Sequence, residues 1–260
     1  TPIAAWAASH LPSVPLFKPE KVNDPAVVAA LRALHADAWV VIAFGQKLGR
    51  DLLADRFAIN LHASLLPRWR GAAPINAAIL AGDTHTGNTV ITLADRMDAG
   101  EILAQSRRPI EPACTAGSLH DLLAADGPAL VQHVLEAHAA GSLLRRAQDE
   151  SLATRAPKLS RADAWVDLTQ PAAACRARIH ALTPWPGVAV RLIHAARHAL
   201  PNDRPLDSQE LKVTLVESTT PPAPGSPHNA APGTLLDVPL GLVACGQGTA
   251  LRLLTVKPPG

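Results

Sequence analysis

The sequence predicts a two-part chain, an open, mostly parallel α/β sheet followed by a small β-barrel. Three observations point there. Helix-like and strand-like runs alternate through residues 1–141, the pattern of strand–helix–strand units. Residues 38–44 are apolar without interruption, as in a strand buried on both faces of a parallel sheet. From residue 161 onward, short β-rich runs separated by Pro- and Gly-rich segments take over, which suits a small barrel.

Each element has a local reason. Asp24 reads as an N-cap with Pro25 at the first helical position. Val27, Val28, Leu31 and Leu34 then recur at helical spacing, so a helix is expected over 25–35. Residues 36–44 form a strand, a short helix follows near 48–54, and 58–64 form the next strand. Pro74 opens a helix that Gly82 closes. Residues 89–93 and 102–106 read as further strands. Residues 118–140 carry Leu119, Leu123, Val131 and Val134 on an amphipathic helix, expected to break or bend at Gly127-Pro128. Residues 142–160 are polar and basic and read as a linker, with the boundary near 155. A short helix over 171–182 follows, then β-like runs at 188–190, 211–216, 233–236, 242–245 and 250–256. The Pro-rich stretch 221–225 separates two of these runs. No internal repeat is visible.

Composition narrows the function. Of 260 residues, 48% are apolar and 18% charged, which excludes a disordered chain. No apolar run reaches the ~18 residues of a membrane helix, and no secretory leader is visible. Cys114, Cys175 and Cys245 are odd in number and form no Cys-x-x-Cys pair. A disulfide framework and a zinc ribbon are thus not expected, and a reducing, cytoplasmic setting fits. A net charge of +2 is too small to mark a nucleic-acid binder and excludes none. Tyrosine is absent and aromatics make up 3%, so base-stacking platforms are not expected.

The informative stretch runs from Ile59 to Pro74. Residues two apart on a strand share a face, so Asn60, His62 and Ser64 face one way. Polar side chains at the end of an inner strand are costly to bury idle, and the carboxyl ends of parallel strands are where α/β ligands bind. Asp98 sits in a loop after the next strand, followed by Ala99 and Gly100. An Asn, a His and an Asp brought together could perform acyl transfer. The amide would donate to a developing oxyanion, the imidazole would shuttle a proton and the carboxylate would orient it. A structural histidine, a turn-forming asparagine and a turn aspartate before glycine are the competing reading.

Asn60-x-His62-x-Ser64-Leu65-Leu66-Pro67 with Arg70-Gly71 resembles the signature of the N10-formyltetrahydrofolate-dependent formyltransferases, and Asp98-Ala99-Gly100 resembles that family's second signature. The run Ser64 to Pro74, with Trp69 and Ala72-Ala73, most resembles the members that act on methionyl initiator tRNA. Val40 to Gly45, Ala156 to Ser160 and Leu182 to Gly187 resemble further family stretches, in order along nearly the whole chain. Val166-Asp167-Leu168 departs from the family's Ile-Asp-Trp.

The resemblance implies a Rossmann-like catalytic domain over 1–141, a linker over 142–160 and an OB-like, tRNA-binding barrel over 161–260. It implies Asn60, His62 and Asp98 as the catalytic trio, with Ser64, Leu65, Leu66 and Pro67 lining the folate site. Arg68, Arg70 and Lys158 are candidates for tRNA contact, and Arg145, Arg146, Arg161, Arg176 and Arg178 are candidates for a basic track. The reaction it implies is transfer of the formyl group of 10-formyltetrahydrofolate to the α-amino group of methionine on initiator tRNA, with no metal, by a cytoplasmic monomer. It also implies a strand–helix–strand unit and a basic loop ahead of Thr1, so the chain is expected to be truncated at both ends. A sister formyltransferase acting on a nucleotide-linked amino sugar, and an inactive remnant binding RNA or folate, are the alternatives. Cys245-Gly246-Gln247-Gly248 reads as a hairpin turn rather than a dinucleotide fingerprint. His194 and His198 lie four apart but lack a third ligand, so no metal site is expected there.

Overall fold

The computed structural model describes residues 2–193, 208–219 and 230–257. Residues 1–59 form one compact unit and residues 60–260 another.

The first unit contains α1 (Pro2–His10), α2 (Pro25–Arg32), β1 (Ala38–Ile42), α3 (Arg50–Leu53) and the start of β2 (Phe57–His62). The sequence signals for α2 hold in detail: Asp24 accepts a hydrogen bond from the Ala26 N–H at 3.0 Å, and Pro25 opens the helix. Arg32 donates to the carbonyls of Asp51 and Ala54, which ties α2 to the end of α3. Helix α1 has no counterpart among the expected elements. β1 corrects the expectation of two-face burial, because Val40 and Ile42 are exposed. An apolar run reports β preference, and burial additionally requires a neighbouring element on each face.

The second unit holds the rest: β3 (Arg70–Gly71), α4 (Pro74–Leu80), β4 (His85–Thr92), β5 (Ile102–Pro109), α5 (Ala116–Ala139), β6 (Arg155–Ala156), α6 (Ala172–Ala181), β7 (Val188–Ile193), β8 (Ser208–Thr219), β9 (Leu235–Asp237), β10 (Leu242–Ala244) and β11 (Ala250–Lys257). In the second unit the sheet order is β2-β4-β5. β4 and β5 pair antiparallel, with Thr89 opposite Gln105, so the mostly parallel sheet is mixed at this edge. The connection between them is a loop of nine residues at most by their bounds, too short for a helical crossover and long enough to carry Asp98.

α5 is continuous through Pro128, so the helix does not break at the expected Gly127-Pro128 step. Pro128 and Ala124 are both exposed, so water can satisfy the Ala124 carbonyl that proline leaves unpaired. Thr115 and Ser118 form a capping box that starts the helix two residues before the expected position. Gly127 lets α5 approach β2, since a Cβ there would lie 2.7 Å from the Leu61 side chain. Arg108 on β5 and Asp126 on α5 form a bidentate ion pair at 2.7 and 2.8 Å.

The five-stranded sheet has the order β7-β8-β11-β10-β9, antiparallel at every pairing. It is a half-barrel, consistent with the expected OB-like domain. Its core is built from Cys175 and Ile179 of α6 with Leu182, Val188, Val213, Val216 and Leu251. The turn at 245–249 is the expected hairpin: the Cys245 N–H donates to the Thr249 carbonyl at 2.8 Å, and Gln247 and Gly248 take φ values of +56° and +66°. A second core joins Ile79, Ala116, Leu119, Leu123 and Ala181, so α4, α5 and α6 meet. His194, His198 and the Pro-rich stretch 221–225 lie outside the described residues.

Candidate active site

β2 delivers Asn60 and His62 to one side of the sheet, and the chain then folds into the loop that leads to β3. Ser64 is fully buried, and its hydroxyl donates to the Arg68 carbonyl at 2.7 Å. Leu66 is buried with Ile91 and Ile102. The loop is fastened at one atom of β4. The Thr89 hydroxyl donates to the Ser64 carbonyl at 2.6 Å and accepts from the Leu66 N–H at 3.1 Å and the Gln105 amide at 3.0 Å. That uses its one donor and both lone pairs. Gln105 also donates to the Leu66 carbonyl at 2.9 Å.

The far end of the loop is held by the segment read as a linker. Thr154 accepts at its hydroxyl from the Trp69 N–H and donates its own N–H to the Pro67 carbonyl. β3 and β6 pair in parallel, Arg70 with Arg155 and Gly71 with Ala156. Residues 154–156 are thus an ordered part of the site. Trp69 takes φ +64°, which turns its carbonyl onto the His62 ring.

His62 is buried, with Nε2 2.8 Å from the Trp69 carbonyl and Nδ1 3.7 Å from Oδ2 of Asp98. A carbonyl only accepts, so Nε2 carries a proton and Nδ1 is the position that can gain or lose one. The Asp98 Oδ2 accepts from the Gly71 N–H at 2.8 Å. The Asn60 side chain has no hydrogen-bond partner among the described residues and is only partly buried, so its amide is free to donate. The structure therefore brings His62 and Asp98 together and leaves Asn60 on the same strand two residues before His62.

The other candidates are placed as follows. Arg68 pairs with Asp83 at 2.7 Å and stacks over Trp69 at 5.0 Å, remaining about half exposed. Arg70 is turned inward onto Gln148 and Glu150. Its guanidinium, with that of Arg96, holds the Glu150 carboxyl down to about 2. Lys158 is exposed. Leu65 borders a shallow cleft of 200 Å³ shared with Arg68, Trp69, His85 and Arg107; Asn60, His62 and Asp98 do not border it. Among the described residues no group of three His, Cys, Asp or Glu side chains could hold a metal, and no helix is long and apolar enough to cross a membrane. Sequence reasoning missed Thr89, Gln105, Gln148 and Thr154. Their contacts span up to 85 residues along the chain, and no local pattern marks them.

Residues 2–135 match the formyl transferase domain, and residues 158–260 match the formyl transferase C-terminal domain. The methionyl-tRNA formyltransferase of Stutzerimonas stutzeri is 40% identical over 264 aligned residues, covering 100% of this chain and 76% of its own length. That of Granulibacter bethesdensis is 41% identical over 235 residues, covering 89% of this chain and 66% of its own length. Among solved structures, HypX from Aquifex aeolicus in complex with tetrahydrofolic acid superposes with a TM-score of 0.62 at 17% identity, covering 91% of this chain and 38% of that one. The fold, the order of the two matched domains and the full-length relatives agree, and the chain belongs to the formyltransferase family.

Proposed function

We propose that this protein transfers the formyl group of 10-formyltetrahydrofolate to the α-amino group of methionine on initiator tRNA. The observation that carries the reading is the pairing of His62 Nδ1 with Asp98 at 3.7 Å, with the partly exposed Asn60 two residues earlier on the same strand. The full-length relatives named for that reaction support it. Residues fit for the folate are the loop from Ser64 to Pro67, whose backbone is immobilised by Thr89 and Gln105.

Bound folate supplies the formyl carbon on N10. The α-amino group must be neutral to attack, and a free one has a pKa of about 7.7–8.0, so a useful fraction is neutral near pH 7. As the new N–C bond forms, Asn60 donates to the formyl oxygen, which gains charge. His62 takes the amine's surplus proton at Nδ1 and returns it to N10 as the N10–C bond breaks. Asp98 faces that nitrogen throughout and fixes the ring's orientation, while the Trp69 carbonyl fixes Nε2 as a donor. One proton moves from the amine to N10 and the products balance.

Arg68 and Lys158, with Arg145, Arg146, Arg161, Arg176 and Arg178, meet tRNA phosphates in this reading. Arg70 contributes by holding the site together. The protein acts in the cytoplasm as a monomer; its three free thiols suit a reducing compartment.

The test is formyl transfer from 10-formyltetrahydrofolate to charged initiator methionyl-tRNA, with uncharged tRNA and a nucleotide-linked amino sugar as separate acceptors. Formylmethionyl-tRNA alone is the expected product. Transfer to the sugar instead, or folate binding without transfer to any acceptor, overturns the reading. Sedimentation at assay concentration checks the monomer.

A further inference from the structure

Asp98 sits at φ +52°, a region that a residue with a Cβ occupies only when its surroundings hold it there. Two residues on, Gly100 runs so close to β4 that a Cβ would lie 1.7 Å from the Thr92 carbonyl oxygen. The loop is tight, and something must secure its backbone. Two carbonyls of its crest, those of the half-buried Asp98 and the buried Gly100, accept from one amide nitrogen, Nε2 of Gln148, at 2.8 and 2.7 Å.

The other end of that side chain is equally occupied. Oε1 of Gln148 accepts from Nε and Nη2 of Arg70 at 3.0 and 2.8 Å. A guanidinium only donates and a backbone carbonyl only accepts, so one orientation of the amide satisfies all four bonds. Arg70 is itself locked by a two-point pairing with Glu150, at 3.1 and 2.9 Å, and its side chain is 12% exposed. Its neighbour Gly71 holds the Asp98 carboxylate directly. The dipeptide Arg70-Gly71 therefore reaches Asp98 at both ends: Gly71 on the carboxylate, and Arg70 on the backbone through Gln148.

We infer that Gln148 is a positioning residue for formyl transfer, fixing the backbone of Asp98 so that its carboxylate stays opposed to His62. The inference rests on the role proposed above for Asp98. Gln148 acts through Asp98 and is assigned no contact with either substrate. A residue that merely fastened 142–160 to the rest of the unit would affect stability or substrate affinity instead of turnover.

Two variants of the full chain separate these roles. Gln148→Glu keeps an acceptor for Arg70 but sets a carboxylate oxygen against two carbonyls, releasing the Asp98 loop selectively. Gln148→Met keeps the length and loses all four bonds. Displacing a reacting group by about an ångström can cost roughly 10²-fold, so kcat is expected to fall on that order in both variants. KM for the folate and for charged tRNA is expected to stay within about twofold. In an Asp98→Asn background, Gln148→Glu is expected to add no further loss. An unchanged kcat, a loss carried by KM, or the same loss in the Asp98→Asn background overturns the assignment. Should Gln148→Met fail to fold, Gln148→Glu, which preserves the Arg70 contact, carries the test.

A readout independent of turnover is amide hydrogen exchange at Gly71, whose N–H meets the Asp98 carboxylate. Faster exchange at Gly71 in Gln148→Glu, with β4 amides unchanged, is expected; retained protection overturns the assignment. If the parent chain transfers no formyl group, the functional reading fails while this measurement still decides the role of Gln148.

Discussion

The backbone N–H of Gly71 donates to Oδ2 of Asp98 at 2.8 Å, and that same oxygen stands 3.7 Å from Nδ1 of His62. The glycine thereby sets the angle at which the carboxylate meets the imidazole. It can do so because it takes φ +125° against β6, where a Cβ would lie 2.4 Å from the Ala156 carbonyl oxygen. Both the conformation and the space demand glycine.

Gly71→Ala is expected to strain the backbone by about 1–3 kcal/mol and to separate β3 from β6. The expected outcome is a lower melting temperature together with a loss of turnover larger than any change in folate affinity. Thermal melts and steady-state kinetics on the same preparation check it.

Loss of a single oxyanion donor typically costs about 10²–10³-fold in turnover, and loss of a general acid–base group about 10²–10⁴-fold. Asn60→Ala and His62→Ala are each expected to fall at least that far while folate binding, read by fluorescence titration, survives. Near-normal turnover in either variant removes that residue from the mechanism.

Thr89 is fully buried and serves three partners. Thr89→Val preserves shape and leaves the Ser64 carbonyl and the Leu66 N–H unpaired, at a cost of about 1–3 kcal/mol. The expected shift is a few degrees in melting temperature. A melt that matches the parent's would show that the loop finds other partners.

His180 on α6 is buried, and its Nε2 accepts from the Val216 N–H at 3.1 Å, which requires a neutral ring. Burial first, and the charge of Arg176 second, push its pKa below the ordinary value. The unfolded chain then binds more protons than the folded one once pH falls below about 6.5. The His180 contribution to stability is therefore complete above that pH and declines as pH falls toward the depressed folded value. Melts between pH 8 and pH 5 are expected to show a steeper decline for the parent than for His180→Asn. Equal slopes would place the titrating group elsewhere.

How far the sequence can be read is clearest at neighbouring residues. Asp24-Pro25 starts a helix and Cys245 to Gly248 makes a hairpin because in both cases the conformation is decided within a few residues. Asn60 and His62 share a strand face because strand periodicity alone sets it. The Arg70 side chain could not be read in the same way. Its sequence context suits a phosphate contact, yet Glu150 and Gln148, some 80 residues away, turn it inward. At Pro128 the helix does not break, in part because water can reach the carbonyl that the proline leaves unpaired.

By itself the sequence determined the order of most elements, though not α1, β3 or β6, together with the family signature and the pair Asn60–His62, all of which depend on local propensity and spacing. Only the tertiary structure decided that β4 and β5 pair antiparallel, that Thr89 fastens the loop after β2, and that Gln148 and Gly71 hold Asp98 opposite His62. Those relationships are hydrogen bonds between groups that chain folding brings together from distant positions. Each residue type in them is common on protein surfaces, so nothing in its own neighbourhood announces the partner it finds.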